Sequence, residues 1–534
     1  MPRLILLAGA MFALFPGQAL AQARPPLADP ACAALAKIVV PADKIALPTR
    51  GATILSASMA QGAGSSRQCI VLGMIHARSP GAPPILFRLN LPVEWNEKAV
   101  QLGGAGYNGR IAETAQTKYA APGVPDPVQS GYAVFASDSG HQQAPGEDPA
   151  AFAANAEALA NFAGDQLKKT HDAALFLIAR AYGTAPRRVY FHGSSQGGHE
   201  AFTVVQRWPA DYDGAVAIHP VYNFTALQTD GVLLGQAIYN RPGAWISPAK
   251  TQAIAERAYS LCDGLDGLKD GVIANVTACT AQLKPETLRC PQGLDSGGDC
   301  LSDVQVALIR SFTAPMALKV ALASGDHFSG WPVLTGARSQ GFFITFGDRP
   351  DHPRPPKPGD SFPFFMGDQM VRHLATGDPA YDSLTFDPAL HADRLKALSA
   401  AIDTADPDIS AFRQRGGKLL LMHGTVDMAV PPGNSVAYYD RLVERFGPDL
   451  KQFVRFYLAP GFGHGDGPFQ VGWDSLGALD AWVERGKAPE AQIVTDTAKG
   501  SEGRTRPLCE YPAFPRYRGE GDVETAASFV CATR

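Results

Sequence analysis

A serine becomes a useful nucleophile only when its backbone exposes it and a neighbouring base takes its proton. The run Arg187-Arg188-Val189-Tyr190-Phe191-His192-Gly193-Ser194-Ser195-Gln196-Gly197-Gly198-His199 has the form such a serine needs. An apolar strand leads into Gly-x-Ser-x-Gly, and a helix beginning Glu200-Ala201-Phe202 leaves it. A strand–turn–helix of this kind strains the backbone and lifts the serine oxygen above a sheet, with the flanking glycines giving room for the turn. Ser195 is in phase with both glycines and Ser194 is not. The plain alternative is a Gly/Ser turn in a chain of 54 glycines; placement after an apolar strand favours the nucleophile.

Around such an elbow the partners follow in the order Ser, Asp or Glu, then His, each on a loop after a strand. Asp427 lies in His423-Gly424-Thr425-Val426-Asp427-Met428, after an apolar stretch at 418–422. His464 lies in Gly461-Phe462-Gly463-His464-Gly465-Asp466, after a second stretch at 453–458. His192 falls inside the elbow strand and reads as core, while His199 and His423 read as structural hydrogen-bonding groups. Asp466 is too near His464 in sequence to orient it from another strand end. An oxyanion hole is expected from the backbone N–H of Gln196 and from a glycine of the run Leu102-Gly103-Gly104-Ala105-Gly106-Tyr107-Asn108-Gly109, assigned to Gly104. The same run lacks the Lys-Ser/Thr of a nucleotide-binding loop.

These loops need a frame. Strands are expected at 85–89, 99–102, 132–137, 189–192, 215–219, 418–422 and 453–458. Helices are expected at 155–182, 434–446 and 473–485. Alternation of that kind, joined to the elbow, predicts an α/β-hydrolase with a mostly parallel central sheet covered on both faces. Residues 226–408 break the alternation, hold four of the eight cysteines and carry a Pro-rich run at 352–358. They are expected to form a large inserted lid domain between two hydrolase segments, 22–225 and 409–534.

Composition sets the compartment and the partners. Hydrophobic residues at 46% and charged residues at 18% describe an ordinary globular chain. A formal charge of −4, with no Lys/Arg run, argues against nucleic acid and against an anionic membrane surface. Arg3, the apolar stretch 4–15 and Ala19-Leu20-Ala21 read as a signal peptide, residues 1–21, cleaved near Ala21. A secreted or periplasmic protein is therefore expected. No later stretch offers 18 unbroken apolar residues for a membrane span. In an oxidising compartment an even cysteine count argues for disulfides. Their grouping along the chain suggests Cys32–Cys69, Cys262–Cys279, Cys290–Cys300 and Cys509–Cys531, one of the 105 pairings that eight cysteines allow.

The segment Cys262-Asp263-Gly264-Leu265-Asp266-Gly267-Leu268-Lys269-Asp270-Gly271-Val272 places three aspartates in eight residues, each followed by glycine. Hard oxygen ligands on a turning backbone suit Ca²⁺, although the Glu that closes an EF-hand loop is absent, and a solvated acidic turn is the alternative.

Taken together, the chain resembles the tannase/feruloyl esterase family over nearly all of its length past residue 21. The resemblance is carried by Leu91-Pro92-Val93-Glu94-Trp95-Asn96, the Gly103–Gly109 run, Asp138-Ser139-Gly140-His141, the elbow and Asp213-Gly214. It continues through the aspartate segment, both partner loops and Arg506-Pro507-Leu508-Cys509-Glu510-Tyr511-Pro512. It implies an α/β-hydrolase with a lid that splits esters of aromatic acids of feruloyl, galloyl or terephthaloyl type. It also implies Ca²⁺ held in the lid by Asp263, Asp266, Asp270 and the carbonyls of Leu268 and Val272. On this reading Ser195, His464 and Asp427 would act through an acyl-enzyme on small or oligomeric esters. Aliphatic or hydroxyalkanoate oligomers are the rival substrates; a serine peptidase and a non-catalytic calcium-dependent binding protein are the rival functions. One departure stands out. The family usually joins the positions of Ser194 and Gly465 by a disulfide, which this chain lacks, so packing and the glycine-rich His464 loop must do its work. Trp331, Phe342, Phe343, Phe346, Phe364 and Phe365 are candidates to hold an aromatic acyl group, and Arg349, Arg354 and Arg372 to meet a substrate carboxylate.

Overall fold

The computed structural model describes residues 26–62, 66–112, 116–338, 343–352 and 354–533. The expected signal peptide and Phe342 lie outside the described residues. The strands are β1 (Val39–Val40), β2 (Ala52–Gln61), β3 (Arg67–Ile75), β4 (Ile85–Pro92), β5 (Lys98–Leu102), β6 (Ala133–Ser137), β7 (Arg188–Ser194) and β8 (Gly214–Ile218). After them come a separate hairpin, β9 (Met316–Leu322) with β10 (Gly325–Phe328), and then β11 (Lys418–Gly424) and β12 (Val454–Ala459). Ten strands form one sheet in the order β1-β2-β3-β4-β6-β5-β7-β8-β11-β12.

The strand sequences explain the two halves of this sheet. β5 and β8 are buried along their whole length, and β6 along all but its last residue, as parallel strands covered on both faces must be. From β6 to β12 all neighbours pair in parallel. β1 to β4 pair antiparallel, and β2 mixes exposed and half-buried positions because one of its faces meets water. Along β7, Val189 and Phe191 enter one hydrophobic layer and Tyr190 enters the opposite one. The helices Gln196–Arg207 and Pro432–Phe446 cover the first layer through Phe202, Tyr438 and Leu442; Ser475–Arg485 covers the second through Leu479 and Trp482. The fold is that of an α/β-hydrolase.

The long helix expected at 155–182 is interrupted. Ala156–Ala160 passes through a wider turn, Asn161–Asp165, before Gln166–Tyr182 begins, and Gly164 takes φ 135° within that turn. Between β8 and β11 the described residues add no strand to the central sheet. They form helices including Phe224–Tyr239, Pro248–Cys262, Asp303–Thr313, Phe362–Gln369 and Ala392–Ile402 around a core of Val232, Ile254, Ile309, Phe312, Met370 and Leu395. Val426 and Val430, from the loop after β11, join that core and so pack the insertion against the end of β11.

All four disulfides pair as the sequence grouping suggested, Cys32–Cys69, Cys262–Cys279, Cys290–Cys300 and Cys509–Cys531. They close short segments with sequence separations of 10 to 37 residues. Among the described residues no helix is long and apolar enough to cross a membrane.

Candidate active site

Ser195 caps β7 in the strained geometry of a nucleophile elbow, with φ 61° and ψ −121°. The turn closes so tightly that a Cβ on Gly193 would lie 2.2 Å from the carbonyl oxygen of Gly197. Asp427 follows β11 and His464 follows β12, so the three residues sit at the ends of β7, β11 and β12, with β8 between the first two. His464 Nδ1 bonds Asp427 Oδ2 at 2.8 Å, and His464 and Ser195 line the same cavity.

Asp427 has no solvent exposure. Its Oδ1 accepts the N–H groups of Ala429 and Val430 at 2.8 and 2.9 Å. Burial alone would raise its pKa, but the charge of His464 and the bonds from His423 and His464 hold it well below the usual carboxylate range. Burial in turn opposes a charge on His464, and Asp427 overcomes it, leaving the imidazole pKa raised. His192 and His199 have other partners, and His423 reaches Asp427 Oδ2 at 3.3 Å besides partners of its own. His192 Nε2 meets Ser475 Oγ at 2.9 Å, and His199 Nδ1 meets the Val221 carbonyl at 2.9 Å. His423 lies between Ser435 Oγ and the Val430 carbonyl, both at 2.8 Å. Asp466 stays on its own loop, where Gly463 N–H bonds its carbonyl.

The expected oxyanion donors divide. In a trans peptide the C=O and the following N–H point in opposite directions. The Ser195 carbonyl accepts the N–H of His199 along the elbow helix, which turns the Gln196 N–H outward. The Gly104 carbonyl accepts the N–H of Gly197 at 3.0 Å, which likewise turns the next N–H, that of Ala105, away from the helix. Ala105 and Gln196 both line the cavity. Gly104 itself is corrected here, because its N–H is taken by the buried Glu200 carboxylate at 2.8 Å. Which peptide of a glycine run faces the cavity depends on bonds to residues about a hundred positions away, and the run alone carries no such signal.

The cavity measures about 420 Å³. Tyr107, Phe224, Trp331, Phe343, Phe362 and Phe365 supply its aromatic wall. Phe343 stands edge-on to the His464 ring, with centroids 5.2 Å apart. Two of the aromatic candidates go elsewhere: Phe346 packs on Phe312, and Phe364 fills the space above Gly235. None of the three arginine candidates lines the cavity. Arg349 pairs with Asp348 and Asp360, Arg354 with Asp382, and the buried Arg372 with Asp148 and Asp368. Lys118 is the one lysine or arginine that lines it among the described residues.

Tyr119 was not anticipated. Its hydroxyl sits 3.4 Å from Ser194 Oγ, and the same oxygen lies 3.4 Å from where a Cβ on Gly465 would be. A tyrosine thus fills the gap that a Ser194–Gly465 crosslink would span, edge-on to Phe462 and His219. His219 was also missed: it is fully buried, with Nε2 4.0 Å from Asp427 Oδ2. Neither residue belongs to a local motif, so only the fold brings them in.

The aspartate segment follows the helix Pro248–Cys262, beside the Cys262–Cys279 bridge. Its backbone folds onto its own carboxylates, with Leu268 N–H on Asp266, Gly271 N–H on Asp263 and Val272 N–H on Asp270. Burial, then the charge of Asp270, pushes Asp266 up to about 7 and raises Asp263 too. The cationic partner present is Arg506, bonded to Asp270 at 2.7 Å. Acid groups that burial and a like charge push up, as at Asp263 and Asp266, fit a site that a hard divalent cation would neutralise.

The sheet, the serine elbow and the Asp–His pair define an α/β-hydrolase. Residues 69–532 match the sequence model of the family described as tannase and feruloyl esterase, and the chain belongs to that family. It is 38% identical to an uncharacterized esterase of Agrobacterium fabrum, over 94% of this chain and 93% of that one. It is 31% identical to the mono(2-hydroxyethyl) terephthalate hydrolase of Piscinibacter sakaiensis, over 89% of this chain and 86% of that one. Two crystal structures from Aspergillus oryzae share the fold. An esterase aligns with TM-score 0.77 at 23% identity, covering 94% of this chain and 100% of that one. Feruloyl esterase B aligns with TM-score 0.76 at 22% identity, covering 92% and 98%.

Changing Asp427→Asn tests the geometry. An amide can keep the two backbone bonds but can also turn an N–H toward His464, favouring the wrong imidazole tautomer. Ester hydrolysis is expected to lose about 10³–10⁴-fold in kcat while the chain stays folded. Because Asp427 raises the His464 pKa, the acid limb of the residual pH–rate profile should move to lower pH. Activity within tenfold of wild type would exclude this pair from the chemistry.

Proposed function

We propose that this protein is a serine carboxylic ester hydrolase that works through an acyl-enzyme on esters of aromatic acids. The observation that carries the reading is the 2.8 Å bond from His464 to a buried, ionised Asp427 at a cavity that also holds Ser195 on a strained elbow. Ser195 Oγ attacks the ester carbonyl carbon while His464 Nε2 takes its proton. The carbonyl electron pair moves to oxygen, where the N–H groups of Gln196 and Ala105 receive the charge. Collapse breaks the bond to the alcohol, which leaves with the proton from His464. Water, deprotonated by the same imidazole, then attacks the acyl-serine, and collapse frees the acid and restores Ser195.

The aromatic wall supports the choice of acyl group, since flat rings stack and bury well against aromatic side chains. Relatives that include a mono(2-hydroxyethyl) terephthalate hydrolase and a probable feruloyl esterase point the same way. Lys118 at the cavity gives a carboxylate or phenolate on the acid a cationic neighbour. Residues 226–408 act in this reading as the lid, between hydrolase segments 22–225 and 409–534. The four disulfides fit an oxidising compartment, in keeping with export after cleavage near Ala21.

A structural Ca²⁺ belongs to the same reading. Asp263, Asp266, Asp270 and the carbonyls of Leu268 and Val272 would hold it, and it would add to Arg506 the positive charge that three carboxylates call for.

Methyl ferulate, methyl gallate and a terephthalate monoester, assayed beside p-nitrophenyl butyrate, test the substrate class. Turnover of the aromatic esters is expected, with a loss of about 10⁴-fold or more in Ser195→Ala. Hydrolysis of the butyrate alone would move the substrate to aliphatic acids. For the metal, chelation should lower the melting temperature and added Ca²⁺ restore it, with Asp266→Asn abolishing the response. A melting temperature indifferent to both would remove calcium from the account.

A further inference from the structure

Glu200 lies on the second turn of the elbow helix and is 2% exposed, away from the cavity lining. Its carboxylate bonds the glycine-rich loop and the side chain that supports it. Oε2 accepts the Gly104 N–H at 2.8 Å, and Oε1 accepts from Asn108 Nδ2 at 2.9 Å and from Gln166 Nε2 at 3.2 Å. Gln166 is itself fixed by Ser137 Oγ, which donates to its Oε1 at 2.5 Å. Gly104 is therefore tied to the elbow helix at both ends, N–H to Glu200 and C=O to Gly197. Contact is close enough that a Cβ on Gly103 would lie 2.5 Å from Gly197 Cα and 2.9 Å from Glu200 Oε2.

A carboxylate in this position costs stability, since burial pushes Glu200 up to about 7. An apolar side chain would avoid that cost. What the carboxylate provides is direction, because with the Gly104 peptides clamped on both sides the Ala105 N–H cannot swing.

We propose that Glu200 is a positioning residue for ester hydrolysis, holding the Gly103–Asn108 loop against the elbow helix so that the Ala105 N–H meets the developing oxyanion. The inference rests on the serine esterase reading above. It assigns Glu200 no contact with substrate. Its effect belongs to the transition state, where oxyanion charge appears, and not to substrate binding.

The test uses Glu200→Gln and Glu200→Ala, with kcat and KM on p-nitrophenyl butyrate and the Kd of a phenylboronic acid, whose serine adduct mimics the tetrahedral anion. Both variants should lose roughly 10- to 100-fold in kcat with KM changed less than about threefold. Boronate affinity should weaken by a similar factor. Glutamine, which keeps one oxygen for Gly104, should recover part of the loss that alanine suffers. The inference is overturned if a folded Glu200→Gln protein keeps both kcat and boronate affinity within about twofold while the alanine variant does too. It is overturned equally if kcat falls with no change in boronate affinity. Should alanine fail to fold, the isosteric glutamine variant is judged alone by the same two numbers. Wild type that binds no boronate would instead defeat the serine esterase reading itself, and this inference with it.

Discussion

An ionised carboxylate with no access to water is the constraint on which the site depends. Asp427 can stay charged there because the backbone of its own loop and two histidines surround it. Removing any of these partners would leave an uncompensated buried charge, among the most expensive defects a core can hold. The requirement fixes the loop after β11, and through His464 it fixes the loop after β12. Its pH dependence has a definite sign. A carboxyl pKa depressed by folding contributes stability above the unfolded-state value, and that contribution fades as pH falls through the lower, folded-state value.

Close backbone packing is the second requirement. The elbow, the loop after β5 and the elbow helix approach one another through Gly103, Gly193 and Gly197, positions where a methyl group would strike backbone. That approach lets the Gly104 carbonyl reach the Gly197 N–H and so turns the Ala105 N–H outward. Beyond the serine, Tyr119 wedges between Ser194 and the His464 loop, supporting by packing a region that carries no crosslink in this chain. From residues 226–408, Trp331, Phe343 and Phe362 line the cavity together with Ser195.

Much of this was legible in the sequence, where the determinants were local. Continuous apolar runs marked β4 to β8, β11 and β12 within a few residues of their ends, because strands buried on both faces can tolerate little else. The elbow and the order Ser195, Asp427, His464 came from motif and chain order, and the disulfides from sequence-local grouping. The antiparallel β2 escaped notice, since a strand with one wet face mixes Ser, Thr, Gln and Met and gives only a weak alternation, while β3 was passed over although Cys69–Ile75 is nearly all apolar. The break at Gly164 hid inside a stretch that is helical on both sides of it. Tyr119, His219 and Glu200 gave no signal, because their roles arise from contacts that only the folded chain makes. Gly104 was misassigned for the same reason: composition located the loop, while the direction of one peptide plane decided which N–H faces the cavity.

Reaction with a fluorophosphonate, followed by peptide mapping, tests the central claim most directly, because it asks the protein which atom is the activated nucleophile. The account predicts one adduct per chain, on Ser195, forming at least about 100-fold more slowly in His464→Ala. An adduct on Ser194, or labelling just as fast without His464, would contradict it.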